Sequence, residues 1–81
     1  MQEKLYFRQI CKYHNISNTG LQQIAQQSGV AKSIVDTMHV GTPVARSDAV
    51  RVLDALTKLT SMEYTLNNVA VPLSDLRGND V

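Results

Sequence analysis

The chain has 81 residues, a formal net charge of +1 and hydrophobic residues at 43% of its positions. This length predicts one small domain and excludes a multidomain enzyme with a deep substrate cavity. Eight lysines and arginines are nearly balanced by seven acids, so charge alone gives no argument for nucleic-acid binding. Any such function has to be argued from local pattern.

The cysteine content and the lack of long apolar runs bear on location. The single cysteine, Cys11, cannot form an internal disulfide, which favours a reducing, cytoplasmic environment. We expect neither a signal peptide nor a membrane anchor.

Cys11 and His14 stand three residues apart, but a structural metal site needs more ligands of this type. Cys11 is therefore interpreted as a small buried residue, and no metal or cofactor is predicted.

Residues 2–14 predict a first amphipathic helix, followed by a polar turn over residues 15–20. In that turn Ile16 is the apolar side chain able to hold the loop against the core. The predicted apolar stripe of the helix comprises Tyr6, Ile10 and Tyr13, with Leu5 and Phe7 beside it.

Two short helices are predicted next. The first begins at Thr19, whose hydroxyl and the Gln22 side chain have the spacing of a capping box, and it ends at Gly29. The second covers residues 31–39. Its predicted inward stripe comprises Ile34, Val35 and Met38.

The longest helix is predicted from Ser47, a favoured cap residue, to Thr60, with Asp48 in its first turn. Its apolar stripe comprises Ala49, Val52, Leu53, Leu56 and Leu59. After it, residues 64–69 predict a single helical turn capped by Thr65. Residues 69–73 predict an extended segment, and residues 74–81 a loose end.

The stretch over residues 21–40 is thus predicted to form two helices joined by a glycine turn. Packing two such helices at a wide angle requires a small residue at the crossing and a turn residue that tolerates a left-handed backbone. Ala25 and Gly29 meet these requirements, and Val35 and Met38 hold the second helix from beneath. The outer side chains of that helix are left to enter a groove.

This pattern resembles the Cro/repressor-type helix-turn-helix family, also called XRE-like or lambda-repressor-like. The residues that carry the resemblance are Ile24-Ala25, Ser28-Gly29-Val30, Lys32-Ser33-Ile34-Val35, Met38, Gly41 and Leu53-Asp54-Ala55-Leu56. The implied fold is all-α, a compact bundle of four to five short helices containing a helix-turn-helix. We expect this domain over residues 1–69, with an extended or flexible tail over residues 70–81. The resemblance implies that the helix over residues 31–39, which begins at Ala31, enters the major groove of double-stranded DNA.

The resemblance also implies a set of site residues. The expected base contacts are Lys32, Ser33, Thr37 and Asp36, and the expected phosphate contacts are Gln22, Arg46 and Thr42. Gln22 is expected in the first turn of the second helix, where its amide and the helix N–H groups can meet a phosphate oxygen. No catalytic residue and no small-molecule substrate are predicted.

Two functions from different classes remain open. The first is a sequence-specific DNA-binding transcriptional regulator, expected to repress by occupying an operator as a dimer. The second is a protein-interaction or adaptor domain that uses the same fold without reading DNA. Leu21 and Ala31 depart from the family's usual residues and favour the second function. Lys32, Ser33 and Thr37 are also compatible with an ordinary solvated helix face in a plain helical hairpin.

A homodimer is expected because one recognition helix reads only a few base pairs. The expected joining surface is residues 62–73, in which residues 69–73 could pair as an exposed strand with the same strand of the second copy. The apolar members of this surface are Met62, Tyr64, Leu66, Val69, Val71 and Leu73. The alternative is that Tyr64, Leu66 and Val69 cover the core of their own monomer. That core is predicted to contain Ile10, Ile24, Ala25, Val35, Leu53, Leu56 and Leu59.

Overall fold

A computed structural model of the chain describes residues 4–74. These residues contain four helices and one short pair of parallel strands. The elements in chain order are β1 (Leu5–Tyr6), α1 (Phe7–Tyr13), α2 (Asn18–Ser28), α3 (Lys32–Val40), α4 (Arg46–Thr60) and β2 (Val69–Ala70). The predicted helical character is confirmed, and the strand pair departs from the all-α prediction.

The first helix begins later than the sequence predicts because the residues before it are extended. In the parallel pair β1–β2, Leu5 lies opposite Val69 and Tyr6 lies opposite Ala70. The Tyr6 N–H donates to Gln9 Oε1 at 2.9 Å, which satisfies a backbone donor at the start of α1. Residues 2 and 3 of the predicted helix lie outside the described residues.

The late start of α1 also changes its buried stripe. Phe7, Ile10 and Cys11 are buried, as expected of positions i, i+3 and i+4 on one helix face. The predicted stripe is wrong at Tyr6 and Tyr13, which are 59% and 75% exposed. Tyr6 belongs to a strand, and Tyr13 stands on the solvent side of the last turn.

The second helix begins at Asn18, immediately after its N-cap Ser17. The predicted capping box of Thr19 and Gln22 is therefore wrong, because both residues lie inside the helix. Ser17 makes no side-chain cap hydrogen bond, although its carbonyl accepts the Leu21 N–H at 2.9 Å.

A close approach at Gly20 fixes the loop before α2. A Cβ atom built on Gly20 would lie 2.7 Å from Ile16 Cγ2, which is nearer than side chains approach without a shift. Ile16 in turn packs against the core, as predicted, and its N–H donates to the Cys11 carbonyl at 2.8 Å. The glycine is thus required inside a helix because the loop side chain occupies its Cβ space.

A three-residue turn joins α2 to α3. Gly29 has a left-handed backbone with φ of 77°, and its N–H donates to the Ala25 carbonyl at 3.0 Å, so the predicted glycine end of α2 is confirmed. Ser28 Oγ also donates to the Ala25 carbonyl, at 3.1 Å, and accepts the Val30 N–H at 3.2 Å. The serine hydroxyl therefore stabilises the chain reversal that sets α3 against α2.

The longest helix, α4, runs over Arg46–Thr60 and begins before the predicted cap. Ser47 lies inside it, so the predicted serine cap is wrong, and the N-cap position is Ala45. Asp48 occupies the first turn as predicted, where its charge complements the helix dipole.

The core forms where α2 packs on both α3 and α4 and where α1 packs on α3. Its buried residues are Phe7, Ile10, Cys11, Leu21, Ile24, Ala25, Val30, Val35, Met38, Val44, Ala49, Val52, Leu53, Ala55, Leu56, Tyr64 and Val69. Six of the seven predicted core residues are among them. The prediction is wrong at Leu59, which is 39% exposed because it lines an open depression at the end of α4 beside the α1–α2 loop. No described helix has the length and apolarity needed to cross a membrane.

The predicted turn after α4 is present and Thr65 is its cap. The Thr65 N–H donates to Asn68 Oδ1 at 2.8 Å, while Thr65 Oγ1 accepts the Asn67 N–H at 3.1 Å. The Val69 N–H completes one helical turn by donating to the Thr65 carbonyl at 2.9 Å.

The segment after this turn is extended, as predicted, but it pairs within its own chain. Beyond the β1–β2 pair, the Val44 N–H donates to the Pro72 carbonyl at 3.1 Å and the Ser74 N–H donates to the Val44 carbonyl at 2.8 Å. The partners of this segment among the described residues are thus β1 and Val44 of the same chain, whereas the sequence predicted a second copy as its partner. Residues 75–81 of the predicted tail lie outside the described residues.

Candidate nucleic-acid interface

The third helix presents a polar outer face. It is held from beneath by Val35 and Met38, which are 0% and 3% exposed, as the sequence predicts. Ser33 is exposed on the outer side, whereas Lys32 and Thr37 are half-buried. Lys32 keeps 31% of its side-chain area exposed, so it is less open than a solvated lysine.

The ammonium group of Lys32 joins the starts of α2 and α3. Its Nζ donates to Asn18 Oδ1 at 2.9 Å and lies 3.1 Å from each carboxylate oxygen of Asp36. The Lys32–Asp36 contact is an i, i+4 ion pair with both partners partly in solvent. Such a pair contributes only about 0.3–0.5 kcal/mol.

The rest of the outer face is tied to the helix backbone. Thr37 Oγ1 donates to the Ser33 carbonyl at 2.8 Å, and the Thr37 carbonyl accepts the Thr42 N–H at 3.0 Å. Thr42 is exposed just after Gly41, whose left-handed φ of 92° ends the helix. Lys32, Ser33, Asp36, Thr37 and Thr42 thus lie on α3 or at its end.

The other two predicted phosphate contacts lie on different helices. Gln22 is exposed on α2, but it is the fifth residue of that helix, so its predicted position in the first turn is wrong. Arg46 is the first residue of α4 and lines two surface depressions together with Leu66, beside the C-terminal segment.

Asn18 contacts Lys32 at this face, and the sequence interpretation did not include it because it was placed in a polar turn. The first N–H groups of any helix lack partners within the helix, and in α2 these belong to residues 18–20. A signal for this start was present, since Ser17 is a favoured N-cap residue and Leu21 follows four residues later.

The lysine and the acid of α3 pair with each other. Lys32 and Asp36 lie four residues apart on this helix, and the Lys32 Nζ lies 3.1 Å from the Asp36 carboxylate. The cation that faces outward at the start of α3 is thus already paired within the chain.

Three further titratable side chains are buried or half-buried: Cys11, His14 and Tyr64. Burial raises the pKa of the Cys11 thiol to about 11, so this thiol is protonated at neutral pH. His14 Nε2 lies 2.9 Å from Tyr64 Oη, and the two rings meet edge to face. Burial, and secondarily the neighbouring Tyr13, raises the pKa of the Tyr64 phenol.

Comparisons with known proteins give no indication of the function of this chain. No protein family, no curated protein and no solved structure matches the chain. Within residues 4–74, no group of three or more histidine, cysteine or acidic side chains is placed to hold a metal ion.

Proposed function

We propose that this domain binds double-stranded DNA sequence-specifically and acts as a transcriptional regulator, with α3 in the major groove. The observation that carries the proposal is the α2–turn–α3 unit, in which a left-handed glycine joins two short helices. The second of these helices is buried on one side and polar on the other. This arrangement presents a recognition helix while the first helix crosses the DNA backbone.

The contacts of Lys32 support a reading role for the start of α3. Because its ion pair with Asp36 is worth little, the ammonium group can exchange that partner for a guanine acceptor or a phosphate oxygen at small cost. Ser33 and Thr37 lie beside it and can donate to base edges. Asp36, once released, can accept from a cytosine amino group.

The start of α2 supports a positioning role. Lys32 bonds to Asn18, so the α2 N-terminus and the α3 N-terminus lie side by side. A phosphate at the backbone N–H groups of residues 18–20 would meet the positive end of the α2 dipole. We assign the main phosphate contact to this helix start, with Gln22, Thr42 and Arg46 as further contacts.

We also propose that two copies bind together, since one recognition helix supplies too little discrimination to select one operator. Within residues 62–73, Tyr64 and Val69 are buried in their own monomer, whereas Met62 is 46% exposed. Met62 is therefore the apolar side chain of that segment best placed to touch a second copy.

Sedimentation of the wild type with an operator duplex should give two copies per duplex, and Met62→Asp should give one. A single wild-type copy on a two-half-site duplex would contradict this step.

The direct test is a binding series against a randomised duplex pool at low and at physiological salt. Affinity should fall steeply with salt, because phosphate neutralisation releases counterions. Lys32→Gln should weaken binding, and Lys58→Gln, on the exposed side of α4, is the charge-matched control. Absence of binding at low salt would overturn the proposal.

The alternative is a protein-interaction or adaptor domain of the same fold that does not read DNA. The observation that favours it is the ammonium group of Lys32, which already bonds to two side chains of the chain, Asn18 and Asp36. Failure of DNA binding at low salt, together with a normally folded protein, would favour this function.

A further inference from the structure

An apolar groove lies at the opposite end of α3 from the polar start described above. It runs between the start of α1, the end of α3 and the C-terminal segment, with a volume of about 480 Å³. Its apolar lining combines two buried side chains, Phe7 and Met38, with two exposed ones, Tyr6 at 59% and Val40 at 66%. Exposed apolar side chains grouped beside a groove are typical of interaction sites.

The lysine and arginine side chains that line this groove are not balanced by any acid among the described lining residues. Arg8 and Lys12 are exposed lining residues one helical turn apart on α1, so both can act on the same bound segment. His39 also lines the groove, and its ring packs edge to face on Phe7. No aspartate or glutamate is among the described residues that line it.

We propose that this groove docks an acidic segment of a partner protein that carries a large apolar side chain. The apolar side chain packs between Tyr6 and Val40, and flanking carboxylates meet Arg8 and Lys12. Opposite charges across such a site favour the encounter and select the partner. This partner site does not depend on DNA binding, because the residues expected to contact DNA do not line the groove.

Two other occupants fit the groove less well. A second copy docked through the same face would set cations against cations, because a two-fold interface brings one surface against itself. A nucleic-acid backbone would meet the two cations but would leave the side chains of Tyr6 and Val40 without an apolar partner. A segment that has both carboxylates and an apolar side chain satisfies both parts of the lining.

The experiment is a selection of displayed random twelve-residue peptides on the immobilised full chain. The double variant Arg8→Gln/Lys12→Gln is used for counter-selection. Both positions are exposed, so this variant should fold normally. The enriched peptides should contain more acids than the input library and at least one large apolar residue.

The affinity of the best peptide for defined variants then locates the site. It should fall about ten-fold in Arg8→Gln/Lys12→Gln and in Val40→Asp, and stay unchanged in Arg51→Gln/Lys58→Gln, which removes the same charge from the exposed side of α4. Enriched peptides no more acidic than the input would overturn the proposal, as would equal binding to all variants. Displacement of the peptide by a duplex or by single-stranded RNA would show that the groove is a nucleic-acid site instead.

Discussion

The contact between α2 and α4 is apolar and buried, whereas the outer face of α3 is polar and partly exposed to solvent. Ile24, Leu53 and Leu56 are at most 1% exposed, and no polar side chain is buried among residues 4–74. On the outer face of α3, polar side chains at the edge of solvent bond to each other, as Lys32 does to Asp36, or to the helix backbone, as Thr37 does to the Ser33 carbonyl. Substitutions in the first region should therefore change stability, whereas substitutions on the second should change binding and leave the fold intact.

The largest expected effect belongs to the buried region. Leu56→Ala should lower the free energy of unfolding by about 2–5 kcal/mol, because a fully buried leucine leaves both lost contacts and a cavity. The matched control is Leu59→Ala on the same helix, which should cost under about 1 kcal/mol because Leu59 is partly exposed. Equal losses in urea denaturation of the two variants would contradict the assignment of the buried face.

A second prediction concerns the close approach of Ile16 to Gly20. Gly20→Ala should destabilise by about 1–3 kcal/mol, because the new methyl group meets Ile16 Cγ2 and overpacks the loop. In an Ile16→Ala background the same change should be neutral or stabilising, since alanine favours helix over glycine by about 1 kcal/mol. The same loss in both backgrounds would show that Ile16 is not the cause.

The turn between α2 and α3 gives a smaller effect with a different origin. A Cβ built on Gly29 meets nothing within 4 Å, so the cost of Gly29→Ala comes from its left-handed backbone. We expect a loss of about 1–2 kcal/mol, with Gly29→Asn losing less because asparagine tolerates this conformation. Thermal unfolding of the three proteins checks the order Gly, Asn, Ala, and an alanine variant as stable as wild type would contradict it.

The smallest effects in free energy are expected on the face of α3. Lys32→Gln should weaken duplex binding a few-fold, and it should reduce the slope of log affinity against log salt by about 1 if the lysine meets a phosphate. Asp36→Asn should weaken binding to the selected duplex, because the carboxylate is expected to accept from a cytosine amino group. Fluorescence anisotropy measures both, and the melting temperatures should stay close to that of the wild type. A tighter-binding Asp36→Asn variant would instead show that the carboxylate makes no base contact and only repels the phosphates.

The buried region was largely predictable from the sequence, and the edges of the elements were not. Apolar spacing and Gly29 were enough to predict α2, α3 and α4 and six of the seven core residues. The β1–β2 pair is set by residues more than sixty positions apart, so no local pattern indicated it. Leu59 follows the helical period but lies where α4 ends, and periodicity does not report where a neighbouring element stops.

The polar face illustrates the same limit. The sequence placed Lys32, Ser33 and Thr37 on one helix, which the structure confirms. The bond from Lys32 to Asn18 depends on how two helices meet, and the predicted cap, Thr19, lies two residues after the observed N-cap, Ser17. Contacts between elements therefore had to come from the structure.

The most direct test of DNA reading by α3 is selection and sequencing of duplexes from a randomised pool, carried out in parallel with wild type, Ser33→Ala and Arg46→Gln. We predict that wild type enriches one motif, that Ser33→Ala changes the preferred base within it, and that Arg46→Gln retains the motif with lower affinity. A wild-type pool that stays random, or a motif that Ser33→Ala leaves unchanged while Arg46→Gln alters it, would contradict the placement of α3 in the major groove.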